Sequence, residues 1–300
     1  MQARHRGTHP HNRPDMTTTD APPAALILRP ATEFTVLTLS TLMAGAFEGY
    51  VVTIPDDPAA FAARVRAEQI DLHASLIACV DGEPVGLGLI ARRGEDARLA
   101  GMGVRKAWRG QGVARALLDR LLADARARGE ARMHLEVIEG NDSAIRLYET
   151  AGFVRRGRLA GYERPAARAP EAQLSALGEV PLSVAARTLA QHADNDLPWQ
   201  LHPATLASLT PPNRALTLGN ATAWVLEQPG VLVLRAVLVP PAARRQGQGR
   251  ALLEALTRAF PDHRMIVPAT VQERQADGFL TTCGFTQTTL AQLEMTCPLN

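Results

Sequence analysis

The sequence predicts an α+β fold that occurs twice along one chain, each copy a mixed, mostly antiparallel sheet flanked by helices. A glycine-rich phrase appears as RGQGVARALL from Arg109 and again as RRQGQGRALL from Arg244. Around the first phrase, apolar runs separated by turn residues predict strands, and apolar residues at helical spacing predict helices. A repeat of this kind indicates two related domains rather than one large core.

Length and composition agree with two domains. The chain has 300 residues, of which 46% are hydrophobic, and single cores stop growing near this size. An Ala/Pro-rich polar stretch between the copies is typical of a linker. The predicted organisation is a disordered N-terminal segment at 1–21, a first domain at 22–165, a linker at 166–177 and a second domain at 178–300.

Charge and cysteine content exclude several classes of protein. The formal net charge is only +2, which argues against a nucleic-acid partner. Three cysteines without a C-x-x-C pair argue against a disulfide framework and a structural zinc, so we expect no metal. Because no apolar run has the length of a membrane span, we expect a cytoplasmic protein with no membrane contact. Translation could start at Met1 or Met16, and the sequence leaves this open.

The elements of the first copy follow in order. Residues 74–104 form three apolar runs broken by Asp81-Gly82 and by residues 94–96, which predicts antiparallel strands. Apolar residues at helical spacing then run from Val113 to Gly129, so a helix begins inside the glycine phrase. A strand at 133–138 is followed by a short helix, which Asn141 can cap.

The glycine phrase has a physical interpretation at that position. Gly110 and Gly112 remove side chains where a turn enters a helix, so unpaired backbone N–H groups can converge on an anion such as a pyrophosphate. Neither copy matches the dinucleotide-binding fingerprint G-x-G-x-x-G, because Arg115 and Leu252 occupy the position of its third glycine. The alternative is a turn that merely starts a helix. Because the glycine phrase occurs in two copies, we favour the anion site.

The phrase MGVRKAWRGQGVARALL, followed by LEVIEGNDSAIRLYETAGF, resembles the cofactor-binding motifs of the GNAT N-acetyltransferase superfamily. The resemblance implies a tandem member of that superfamily, with acetyl-CoA as co-substrate. It also implies a bulge near Val137 that opens a gap between strands for the thioester. The residues implied in acetyl-CoA binding are Met102, Gly103, Val104, Arg109, Gly110, Gln111, Gly112, Val113, Ala114, Arg115 and Asn141, and in the second copy Arg244, Gly247 and Gly249.

Acetyl transfer to an amine requires a proton acceptor for the amine and a proton donor for the departing thiolate. By resemblance, Tyr148 is the acid and Glu136 the base. Tyr148 could instead be a half-buried aromatic of an amphipathic helix, and Glu139 or His134 could take the place of Glu136. Asn141 could contact the cofactor or only cap its helix.

The acceptor is expected to be a small-molecule or peptide amine, bound beside the segment AFEGYVVTIPDDPAAFAARV. Glu48, Asp56 and Asp57 make this segment acidic, which suits a cationic amine. However, Asp57 precedes Pro58 and so also fits a helix N-cap.

The second copy keeps the glycine phrase but lacks the chemical groups. Leu280, Pro268 and Glu273 align with Tyr148, Glu136 and Asn141. We therefore expect this copy to be a scaffold or a regulatory CoA site, in a monomer with an intrachain pseudo-dimer or in a homodimer. The alternative for the whole chain is a non-catalytic acyl-CoA-binding sensor or adaptor.

Overall fold

The structure, a computed structural model, describes residues 25–167, 177–192 and 196–299. The predicted N-terminal segment at 1–21 and residues 168–176 of the predicted linker lie outside this part of the chain. The first half contains β1 (Leu26–Pro30), α1 (Val36–Ala46), α2 (Pro58–Glu68), β2 (Ile70–Val80), β3 (Glu83–Arg93), β4 (Asp96–Val104), α3 (Val113–Ala127), β5 (Arg132–Ile138), α4 (Asp142–Thr150) and β6 (Val154–Arg164).

The second half repeats this order of strands and helices. It contains β7 (Gly178–Val180), α5 (Leu182–His192), α6 (Pro203–Ala207), β8 (Asn213–Leu218), β9 (Ala221–Gln228), β10 (Val231–Leu238), α7 (Gln248–Ala259), β11 (Arg264–Gln272), α8 (Glu273–Thr282) and β12 (Thr286–Pro298). The tandem α+β fold predicted from the sequence is thereby confirmed.

Local sequence determines where these elements begin and end. The β2–β3 turn needs positive φ at Asp81 (50°) and at Gly82 (83°). At the second position, glycine adopts this conformation without strain. Asp57 accepts hydrogen bonds from the N–H groups of Ala59 and Ala60, and Pro58 follows at the first helical position. The capping interpretation of Asp57 is therefore confirmed.

The twelve strands of the described residues form one sheet in the order β1-β2-β3-β4-β5-β12-β6-β11-β10-β9-β8-β7. Within each half, the first four strands pair antiparallel with their neighbours in the chain. The pairs β4–β5 and β10–β11 are parallel. A parallel pair needs a crossover, and α3 and α7 provide it in the two halves.

The last strands of the two halves are exchanged at the centre of the sheet. β12 pairs antiparallel with β5 of the first half, and β6 pairs antiparallel with β11 of the second half. The two exchanged strands also pair with each other. As a result, each half completes its sheet with a strand from the other half.

The cores show the same exchange. Met295, Cys297 and Leu299 of the second half are buried in the cluster that α3 and α4 form with the first half's sheet. In return, Ala160 and Tyr162 of the first half are buried in the cluster under α7 and α8. We propose 22–165 and 178–300 as the two domains along the sequence, because each range holds one full set of elements. In space, the last strand of each range belongs to the sheet of the other.

None of the helices in the described ranges is long and apolar enough to cross a membrane.

Removing β12 should destabilise both halves. A chain that ends at Gly284 leaves β5 and β6 with unpaired edges, and we expect it to aggregate or to lose cooperative unfolding. The milder variant Met295→Ala keeps the strand but truncates a fully buried side chain. It should lower the free energy of unfolding by about 2–5 kcal/mol. A soluble truncated chain that melts like the parent would contradict this dependence.

Candidate active site

A gap opens between β4 and β5 beyond their last paired residues. The parallel pairing ends at Leu99 and Leu135, although β4 continues to Val104 and β5 to Ile138. The register between β3 and β4 shifts at Ala100, which is the extra residue of a bulge. Met102, Gly103 and Val104 lie beyond this bulge, along the gap.

The prediction of a bulge near Val137 is wrong. β5 pairs in regular register with β12 from Arg132 to Ile138, so its backbone is held straight on that side. The irregularity lies in β4 instead, and it turns β4 away from β5.

The glycine loop presents free backbone donors at the end of this gap. Gly110 and Gly112 have φ of 74° and 72°, and Gly112 is the N-cap of α3. Within the described part of the chain, no acceptor pairs with the N–H groups of residues 110–115, whereas the N–H of Ala116 already bonds to the Gly112 carbonyl. Six consecutive donors at a helix N-terminus suit an anion.

Polar side chains hold the loop in this shape. The Arg109 guanidinium donates to the carbonyls of Val104 (2.9 Å), Ala46 (3.0 Å) and Glu48 (3.2 Å). The Gln111 amide donates to the Ala107 carbonyl at 2.9 Å. Arg109 therefore contributes through the position of the loop, because its guanidinium is directed at backbone carbonyls.

Tyr148 projects from α4 into the core beside the gap. Its ring is buried and lies edge-on to Phe153, with ring centroids 5.8 Å apart. Burial raises the pKa of the Tyr148 phenol well above its usual value, and the neighbouring Tyr50 adds to this shift. The hydroxyl is consequently protonated throughout the neutral range and can donate.

Tyr50 connects the α1–α2 segment to the start of α4. Its hydroxyl accepts a hydrogen bond from the Asn141 side-chain amide at 3.2 Å, and its ring packs edge-on against Phe47. The other side-chain atom of Asn141, Oδ1, accepts from the N–H of Ala144 and so caps α4. Asn141 thus has a structural role that accounts for both ends of its amide.

Glu136 lies on the opposite face of β5 from the α3 cluster, in a buried ion network. Arg98 donates to Glu136 through Nε (2.8 Å) and Nη2 (2.6 Å), and both side chains are only 4% exposed. Nη1 of Arg98 reaches Glu68 at 2.6 Å, and Glu68 also contacts Arg64 at 2.9 Å. The network links α2 to β4 and β5.

Glu68 and Arg98 stay ionised in this network. Burial opposes the charge on Glu68, but the charges of Arg64 and Arg98 outweigh it and lower the pKa of Glu68 to about 2. Burial also opposes the charge on Arg98, and Glu136 and Glu68 more than compensate, which raises the pKa of Arg98. Glu136 is therefore engaged by a permanent cation.

A second carboxylate, Glu294, stands next to Glu136. It lies on β12 directly opposite Glu136, so the two side chains share one face of the sheet. Burial raises the pKa of Glu294, and the charges of Glu136 and Asp196 raise it further, against the opposing effects of Gln272 and Arg274. This carboxyl comes from the second half of the chain.

The two alternatives to Glu136 lie elsewhere. Glu139 forms an exposed ion pair with Arg158 at 3.0 Å. His134 lies where β4 and β5 are still paired, with Nδ1 3.0 Å from Thr296 Oγ1. Burial lowers the pKa of His134.

The acidic residues of the predicted acceptor segment have different positions. Asp56 accepts hydrogen bonds from Ser40 (3.0 Å) and Thr41 (2.9 Å) of α1, which fixes the α1–α2 segment. Asp57 is the cap described above, and Glu48 is exposed. The site therefore has one free acidic side chain among the three, within the described residues.

The second half reproduces the loop. Arg245 and Gly247 have φ of 63° and 75°, and the Arg244 guanidinium donates to the Val239 carbonyl at 2.9 Å, as Arg109 does to Val104. Gly249 packs beneath the Phe279 ring, since a Cβ on Gly249 would lie 3.0 Å from it. The aligned Leu280 is buried in the core.

Three residues of this site carried no signal in the sequence: Tyr50, Arg98 and Glu294. Glu294 belongs to the second copy's last strand, and only the exchange of β12 brings it to Glu136. Within the described residues, no three His, Cys, Asp or Glu side chains form a group that could hold a metal ion.

Part of the sequence is similar to known acetyltransferases. Residues 44–153 match the model of the Acetyltransferase (GNAT) family. The matched range lies within the first half of the chain. An acetyltransferase of Pectobacterium atrosepticum is 40% identical over 74 residues, which are 25% of this chain and 52% of that protein. The chain thus spans about half the length of this curated relative.

Solved structures extend the fold to the whole chain. A GCN5-related N-acetyltransferase from Sphaerobacter thermophilus aligns with a TM-score of 0.68 and 16% identity, over 93% of this chain and 98% of that one. A tandem GNAT protein from the clavulanic acid biosynthesis pathway aligns with a TM-score of 0.63 and 15% identity, over 92% and 98%. At these identities the likeness concerns the fold: two GNAT folds in tandem.

The two loops provide a matched pair of variants. Gly112→Ala and Gly247→Ala impose the same cost on the backbone, because both glycines have φ near 75°. If the first loop holds the pyrophosphate of acetyl-CoA, Gly112→Ala should weaken binding about tenfold or more, roughly 1.4 kcal/mol. Calorimetry with acetyl-CoA measures this. Equal affinities of Gly112→Ala and the parent, at equal melting temperatures, would make the loop purely structural.

Proposed function

We propose that this chain is an acetyl-CoA-dependent N-acyltransferase that moves the acetyl group directly to a primary amine in its first half. The observation that carries the proposal is the convergence, at one strand gap, of six free backbone donors and a buried, protonated tyrosine. The donors of residues 110–115 suit a pyrophosphate, and the gap beside Met102 to Val104 suits an extended thioester arm. The match of residues 44–153 to the GNAT family model supports the same cofactor.

The proton inventory of the reaction can be assigned to side chains. The amine nitrogen forms a bond to the carbonyl carbon, the carbon–sulfur bond breaks, and the thiolate takes a proton from the Tyr148 hydroxyl. The proton lost by the amine goes to a carboxylate on the other face of β5. Because its pKa is raised, the Tyr148 hydroxyl carries its proton at every working pH and is available as the donor.

We assign the proton acceptor to the carboxylate pair Glu136 and Glu294. Glu136 is held by Arg98, so it supplies a fixed negative charge rather than a free lone pair. Glu294 has a raised pKa and sits opposite it. A carboxyl whose pKa is moved toward neutrality is the better base near pH 7. The acceptor of the acetyl group is then a small-molecule or peptide amine. The second half acts as a scaffold that also contributes the Glu294 side chain to the site.

One observation favours a different function. The engagement of Glu136 by Arg98 would suit an acyl-CoA-binding sensor or adaptor in which no acetyl group moves. Release of free thiol from acetyl-CoA in the presence of a panel of amines separates the two functions. Turnover supports the enzyme, and tight binding without turnover supports the sensor.

Tyr148→Phe keeps the ring but removes the donor. We expect turnover to fall by about 10²–10⁴ with little change in acetyl-CoA affinity. The matched control is Tyr162→Phe, a buried tyrosine of β6 that lies in the second half's core. That variant should keep near-parental turnover. A loss of acetyl-CoA affinity in Tyr148→Phe, with turnover at saturation intact, would assign Tyr148 to binding.

The two carboxylates should affect the pH profile differently. If Glu294 is the base, turnover rises with pH as its carboxyl ionises, and Glu294→Gln should abolish that rise. Because the Glu136 charge helps to raise the pKa of Glu294, Glu136→Gln should move the rise to lower pH. The measurement is kcat against pH for both variants. An unchanged profile in Glu294→Gln would return the role of base to Glu136 or to water.

A further inference from the structure

A cavity of about 500 Å³ lies between α2 of the first half and the face of the second half's sheet opposite α7. It is bounded by α2 of the first half, by the 199–201 turn with α6, and by strands β9, β10 and β11. Arg235 lies at the β10 bulge, in the place that Ala100 has in the first half, and both residues are the extra residue of their bulge. The cavity is thus the counterpart of the space that Arg98, Glu136 and Glu68 fill in the first half.

Arg235 is a cation that lacks an acidic partner in the described part of the chain. Its Nε donates to the Asn213 side-chain oxygen at 2.8 Å, and no carboxylate of the described residues lies within 4.0 Å of its guanidinium. Burial lowers the pKa of Arg235, and the more distant charge of Glu68 offsets this only in part. Arg98, which is also buried, has two carboxylates around it. A partly buried cation left without such a partner costs stability.

The rest of the cavity wall is mostly apolar, with one free acceptor. Leu201, Leu206 and Leu226 line it, and the Arg66 guanidinium lies at its edge, bonded to Thr210 at 2.9 Å. The Oε1 atom of Gln200 is buried in the wall without a hydrogen-bond partner in the described chain. Buried polar atoms normally have partners, so an unpaired acceptor beside a cavity indicates a ligand.

We propose that this cavity binds a small organic carboxylate, with its charged group on Arg235 and its apolar body against the leucines. One guanidinium matches one carboxylate in charge and in its paired hydrogen-bond geometry. Phosphate would bring a second negative charge next to Glu68 and Glu227, which also line the cavity. Gln200 Oε1 would then accept a hydrogen bond from a hydroxyl or amine of the ligand. The cavity borders the buried ion network of the first half, since Gln200 Nε2 donates to Glu136 at 3.4 Å, but the proposal does not depend on acetyl transfer.

The proposal is tested with pentanoate and with pentanamide, its uncharged counterpart of the same length. We expect calorimetry on the full chain to show saturable binding of pentanoate and at least tenfold weaker binding of pentanamide. Arg235→Gln should remove this preference. The control is Arg250→Gln, which removes an exposed cation of α7 on the other face of the sheet. That variant should bind pentanoate like the parent.

Thermal unfolding provides a second readout. Without ligand, Arg235→Gln should melt at or above the parental temperature, because it removes an unpaired charge. Should this variant fold poorly, Ala67→Phe leaves Arg235 in place and fills the cavity from α2, and it should also abolish pentanoate binding. The proposal is overturned if pentanoate does not bind saturably, if pentanamide binds as well, or if both Arg235→Gln and Ala67→Phe keep parental affinity.

Discussion

Much of the structure depends on the position of β12 between β5 and β6. This strand pairs with both neighbours and buries Met295 and Cys297 in the core of the half to which it does not belong by sequence. Because the backbone donors and acceptors of β5 are satisfied there, β5 stays regular, and the bend that opens the cofactor gap falls on β4. The exchange also brings Glu294 opposite Glu136. One pairing choice at the centre of the sheet therefore fixes the fold, the gap and the acidic pair together.

A second constraint is the burial of Arg98. A guanidinium that is 4% exposed needs carboxylates, and Glu136 and Glu68 supply them from β5 and α2. In satisfying Arg98, these side chains occupy the space on that face of the first half. The second half has a valine, Val233, at the aligned strand position and a proline, Pro268, in place of Glu136. Without the network, a cavity remains there, and Arg235 faces it from the bulge.

The sequence predicted what depends on neighbours along the chain. The glycine loop, α3 with its left-handed N-cap, and the caps of α2 and α4 follow from residues a few positions apart. The strand exchange could not be predicted, because β6 and β12 are both final strands with similar patterns and either could pair with β5. The roles of Arg98 and Glu294 depend on that exchange or on α2, far away in sequence. The misplaced bulge has the same cause, since β12 decides which strand must bend.

The doubled phrase can then be explained without a doubled reaction. In both loops an arginine donates to the carbonyl at the end of the preceding strand, at 2.9 Å in each case. In both, a glutamine amide donates to a carbonyl four residues back, at 2.9 and 3.0 Å. Arginine, glutamine and glycine in this order thus specify a loop shape and a helix start, and an anion site is a property of that backbone. The proposed chemistry depends on residues outside the phrase, namely Tyr148 and the carboxylates. Those residues diverged between the halves, while the loop was kept.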